Sequence, residues 1–189
     1  MRNVTHTYQD PLELIWIQTA ARCDIRVERD PTVFASWDGA GVLRVGVSES
    51  LDADDSLAQM ILHELCHALV EGPDALGVPD WGLDIDRLEH VVHEHACLRL
   101  QAALADTCGL RAFFASTTDF RDYYDTLPAD PLADTDNAAV RLASAGWKRS
   151  QNEPWRSPLQ EALSATKRIA AIVEATAPPE SIWSIDSHG

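Results

Sequence analysis

The sequence predicts an α+β fold in which a short sheet occupies the first third of the chain and helices fill the remainder. Three observations lead there. β-Branched and aromatic runs flank a Gly-containing connector between residues 33 and 47. A long apolar segment at helical spacing runs from residue 57 to a Gly72-Pro73 stop. Beyond it, helical patterns recur to about residue 175 with no further strand signal.

Taken in order, Asp10 can cap a first helix with Pro11 at its first position, followed by Leu12, Leu14, Ile15 and Ile17 and fading near Arg22. Residues 25–27 alternate as a short strand, and 33–37 and 42–47 read as two more, joined by Asp38-Gly39-Ala40-Gly41 in a hairpin. The long helix follows a polar stretch in which Asp52, Asp54, Asp55 and Ser56 are all candidate caps. Ala58, Ile61, Leu62, Leu65 and Leu69 form its apolar stripe. A loop rich in Gly and Pro, carrying Trp81, reaches to about Leu83. A second helix is expected over 86–105, and others over 118–124, 137–145 and from 157 to about 175. The tail from Ala177, with Pro178 and Pro179, is expected to be loosely held. The organisation read from this is a core over 1–110, a helical extension packed on it over 111–176, and a tail over 177–189, together one compact unit.

Composition narrows the function classes. Asp and Glu total 30 against 15 Lys and Arg, a formal net charge of −15, and no basic cluster offsets it. Such a field repels a phosphate backbone, so nucleic acid is not an expected partner. No apolar run approaches the roughly 20 residues that span a bilayer, so no membrane partner is expected either. The first ten residues have neither the basic nor the apolar region of a signal peptide. Four cysteines (Cys23, Cys66, Cys97, Cys108) contain no CxxC pair. Together these suit a cytoplasmic protein with reduced thiols.

The chemistry lies in the long helix, in His63-Glu64-Leu65-Cys66-His67. Histidines four apart stand one turn above each other on a helix, so both imidazoles can reach one metal ion, and the glutamate between them can take a proton from water beside it. With 7 His and 11 Glu in 189 residues, chance supplies roughly 0.015 such HExxH matches. The helix is apolar nearly all round, so it should be buried, and two bare imidazoles there need a partner. Zinc (Zn2+) is the natural occupant of a nitrogen and oxygen site. A catalytic zinc normally takes a third protein ligand, and the next helix offers Glu89, His90, His93, Glu94 and His95. Glu94 is the first choice, lying between Val91 and Leu98 on an inward-leaning face with Gln101 two turns on. His95, Glu89 and His90 remain alternatives.

On these residues the chain resembles the zincin metallopeptidases, and a glutamate ligand from a following helix makes it similar to the compact, minimal gluzincins. The resemblance covers about residues 24–105, with His63 to His67 its firm part. It implies His63, His67 and Glu94 as zinc ligands, Glu64 as general base, and a short sheet whose edge strand binds an extended peptide, a place that residues 43–47 occupy. The Asn-Glu pairing common around the third ligand of gluzincins is absent, and so is the Gly and His continuation of metzincins. Cys23 lacks the Gly-Cys-Leu setting of the peptide deformylases.

Cys66, about 60° around the helix from His63 and about 100° from His67, and Cys97, three residues past Glu94, are expected to be buried inert thiols; either, approaching the metal, would close the site. For an oxyanion, Tyr123, Tyr124, His90 and His93 are available. Trp81, Trp147, Trp155 and Trp183 are read as packing residues, with Trp81 able to line a cleft from its loop. The function expected is a zinc-dependent metallopeptidase acting on a restricted peptide or protein substrate. The alternative is a zinc-containing binding or regulatory module with a structural or inactive zincin-like site.

Overall fold

A computed structural model of the chain describes residues 5–84, 87, 90–116 and 119–184. Among them are six helices and one three-stranded mixed sheet, an α+β arrangement. Helix α1 (Pro11–Ala21) starts where Asp10 Oδ1 accepts from the N–H groups of Leu12 (2.9 Å) and Glu13 (3.1 Å), with Pro11 in the first turn. Its Trp16 is fully buried, and the indole N–H donates to Thr166 Oγ1 at 3.0 Å, tying α1 to the last helix.

Strands β1 (Arg26–Arg29), β2 (Ala35–Trp37) and β3 (Val42–Val45) lie in the order β1-β3-β2. β2 and β3 form the expected hairpin, Ala35 opposite Val45 and Trp37 opposite Leu43. Asp38 shapes its turn by accepting from the N–H groups of Ala40 (2.7 Å) and Val42 (2.9 Å). Gly39 is needed there twice over: its φ is +70°, and a Cβ would stand 2.9 Å from the backbone N of Pro79. β1 pairs in parallel with the other side of β3. This corrects the expectation that residues 43–47 present the sheet edge. β3 is central and paired on both sides, and β1 and β2 are the two edge strands.

Helix α2 (Leu57–Glu71) is capped by Ser56, whose Oγ accepts from the Gln59 N–H at 3.1 Å while Gln59 Oε1 accepts from the Ser56 N–H at 3.5 Å. It ends at Gly72 (φ +85°), and the Arg149 guanidinium donates to the carbonyls of Leu69 and Val70. A cation at that end also complements the helix dipole. Helix α3 (Val91–Asp106) starts later than expected; residues 86 and 118, where two sequence-predicted helices begin, lie outside the described residues. Helices α4 (Arg121–Asp125), α5 (Ala138–Ser150) and α6 (Arg156–Val173) follow.

One apolar core runs through α1, α2, α3, α5 and α6, with Trp16, Ile61, Leu65, Leu69, Leu100, Phe114 and Leu159 at its centre. α5 continues five residues past the expected end and contains Gly146 as a packing point. A Cβ there would meet Leu100 Cδ2 at 2.8 Å and the Leu69 carbonyl at 3.3 Å. Trp183 packs on Phe113, ring centroids 4.5 Å apart, so the tail from Ala177 is pinned at one place. No helix of the described residues is long and apolar enough to cross a membrane.

Candidate metal centre

α2 and α3 bring His63, His67 and Glu94 together. His63 Nε2 lies 3.2 Å from Glu94 Oε1, His67 Nε2 lies 3.2 Å from Glu94 Oε2, and the two Nε2 atoms are 3.2 Å apart. Donors held ~2.0–2.2 Å from one tetrahedral ion stand roughly 3.3–3.6 Å apart. The observed separations therefore need only a few tenths of an ångström of adjustment to hold a metal ion. His67 is almost fully buried, yet among the described residues its Nδ1 has no hydrogen-bond partner. Burial alone would lower the His63 imidazole, but the adjacent Glu94 carboxylate overrides it and lifts the group to about 10. Burial alone would raise Glu94, but His67 and His63 hold it well below the usual carboxylate range. The carboxylate thus stays ionised in a place that favours a cation.

Gln101, fully buried on α3, accepts from His63 Nδ1–H at 2.9 Å and donates to the Phe114 carbonyl. That bond keeps a proton on Nδ1, so Nε2, which faces Glu94, is the nitrogen that can give up its proton to an ion. The sequence places Gln101 on the inward face but gives it no role. Its signal is a polar residue seven positions after Glu94 in an otherwise apolar stripe.

Glu64 is buried beside this cluster, and its Oε2 accepts from the Trp81 indole N–H at 2.8 Å. The cluster opens on a cleft of two lobes. One, of 270 Å³, is bounded by Phe34, Met60, Ser116 and Phe120. The other, of 620 Å³, runs along residues 33–36 of the sheet edge to Asp80, Trp81 and Asp84. Phe34, Ala35, Glu64, His67 and Glu94 line both. Trp81 accordingly lines the cleft and packs, its ring stacked on Trp37 at 4.6 Å.

The other candidates are engaged elsewhere. His90 Nδ1 accepts from the Asp84 N–H at 2.8 Å, His93 pairs with Glu71 at 2.9 Å, and His95 stacks on Tyr123 at 3.6 Å. Glu89 lies outside the described residues. The Tyr123 hydroxyl accepts from Arg99 Nε–H at 2.6 Å, and that of Tyr124 donates to the Arg111 carbonyl at 3.1 Å. None of Tyr123, Tyr124, His90 and His93 lines the cleft. Cys66 and Cys97 are fully buried. The Cys97 thiol donates to the His63 carbonyl at 3.3 Å, and its sulfur belongs to the same group of potential ligand atoms, all within 4.8 Å of one another. Burial pushes this thiol well above its ordinary range, and a hydrogen bond with Cys66 adds to the effect. Cys23 sits against the Pro154 carbonyl, raised to about 12 by burial.

The His63, His67, Glu94 and Cys97 group can hold a metal ion. Comparison with protein families, with curated proteins and with solved structures returns no match for this chain.

Proposed function

We propose that the protein is a zinc-dependent hydrolase of peptide bonds, in which His63, His67 and Glu94 hold the ion and Glu64 is the general base. The observation that carries this reading is three nitrogen and oxygen donors with 3.2 Å separations, beside a buried carboxylate, on an open cleft. Two histidines and a glutamate are a donor set suited to zinc, with a fourth position left for water or substrate. When bound, zinc supplies positive charge that polarises a carbonyl and acidifies a water molecule. Glu64 takes the proton of the attacking water and passes it to the leaving amine. The outer edge of β2 borders the cleft at Ala35, where an extended peptide can pair with the backbone. Trp37 offers no such place, because its N–H already donates to Asp80 Oδ1 at 3.0 Å. The short edge strand, three residues long, suits a restricted peptide or protein substrate.

The test begins with metal content per chain of untagged protein purified without added metal. About one zinc per chain is expected, and failure to take up any on titration removes the site. Glu64→Gln should keep the zinc and lose hydrolysis of a peptide library. Unchanged hydrolysis in that variant overturns the mechanism.

Cys97 favours a second reading. Its sulfur belongs to the same group of donors, and as a fourth ligand it would close the site, leaving a binding or regulatory module with structural zinc. Cobalt substitution separates the two. A thiolate absorption band supports closure, whereas a nitrogen and oxygen spectrum that responds to an added hydroxamate supports an open centre.

A further inference from the structure

Trp81 stands in a backbone arrangement that needs explaining. Asp80 (φ 47°, ψ 37°) and Trp81 (φ 58°, ψ 13°) are consecutive non-glycine residues in the left-handed region, which side chains with a Cβ disfavour. The surroundings impose it. Asp80 Oδ1 accepts from the Trp37 N–H and from the Ser36 hydroxyl (3.1 Å), which fastens the loop to the sheet edge. Trp37 is itself fixed, its indole donating to the Leu76 carbonyl at 3.1 Å, and its ring lies nearly parallel to that of Trp81, at 4°. The result is an almost fully buried indole whose N–H is aimed at Glu64 Oε2.

Packing alone would need only the ring. Among the described residues Trp81 is the one hydrogen-bond donor to Glu64, and no group bonds Oε1. A buried carboxylate with one directed, charge-assisted bond loses its freedom to rotate. We propose that Trp81 is a positioning residue for Glu64, holding Oε2 through its indole N–H so that Oε1 faces the cleft. This rests on the reading of Glu64 as general base.

The substitution Trp81→Phe keeps a stacked ring and removes the donor. In the zinc-loaded protein kcat should fall about 10- to 100-fold, as for a misplaced reacting group, while KM, zinc content and melting temperature stay near wild type. Unchanged kcat overturns the proposal. A second readout uses metal-free protein with 15N-labelled indoles. Of the six tryptophans, the Trp81 N–H resonance is assigned by its loss in Trp81→Phe. It should move when Glu64→Gln removes the charge of its acceptor, while the other five stay in place. A Trp81 signal indifferent to that change overturns the contact even if Trp81→Phe fails to fold. If wild-type protein cuts no peptide, the peptidase reading falls on that result alone, and the indole resonance still decides whether Trp81 holds the carboxylate.

Discussion

The α2–α3 pair has two faces built on opposite rules. Towards β2, His63, His67, Glu94 and Gln101 converge, one imidazole nitrogen lacks a partner among the described residues, and a cleft is left open. Towards α5 the same two helices meet Gly146 at van der Waals distance, and the carbonyls left at the end of α2 are taken by Arg149. On the second face side-chain size sets the geometry and polar groups are satisfied. On the first, burial of ionisable groups is tolerated because each is directed at one point, which is what a binding centre requires and a stable core does not.

The sharpest way to test that division is to change chemistry on the site face without changing shape. Glu64→Gln is nearly isosteric; peptide turnover should fall about 10²- to 10⁴-fold with zinc content and melting temperature unchanged, read by single-turnover assay and thermal scan. A large loss of stability would mean that Glu64 belongs to the structural face instead. Gln101→Leu is the next step down. It keeps the volume and removes the acceptor that sets the His63 tautomer, so zinc affinity should weaken about 10- to 100-fold, measured by competition with a chelator. An unaltered affinity would show that His63 is oriented by packing alone.

How much of this could be read in the sequence follows the range over which each feature is determined. His63, Glu64 and His67 are legible because the i, i+4 relation lies inside one helix. Glu94 is legible as a carboxylate on the inward face of the next helix. The strand order is not: local alternation finds the hairpin, but that β3 is central depends on the parallel pairing of β1, a contact outside the hairpin. The bond of Trp81 to Glu64 is hidden for a related reason. Asp80 and Trp81 carry no glycine to announce a left-handed turn, and the conformation is imposed by groups more than 40 positions away in sequence. Gly146 lies one residue past the expected end of its helix, yet a Cβ there would run into Leu100 and the Leu69 backbone, a close approach that no local pattern announces.

That glycine supplies the smallest and most selective probe. Gly146→Ala should raise the intrinsic helix propensity of α5 by up to ~1 kcal/mol. The new methyl must also displace Leu100 Cδ2 from 2.8 Å and press on the Leu69 backbone at 3.3 Å. Overpacking of this kind costs about 1–3 kcal/mol, so the two effects leave a net loss of at most about 3 kcal/mol, or several degrees in melting temperature for a chain of this length. Leu100 is itself fully buried, and the Leu69 carbonyl is held by Arg149. The strain should therefore spread along the packed face and leave the His63–Gln101 bond and zinc uptake as they were. Equal losses of stability and zinc affinity would show that the two faces are one mechanical unit, and would break the division drawn between them.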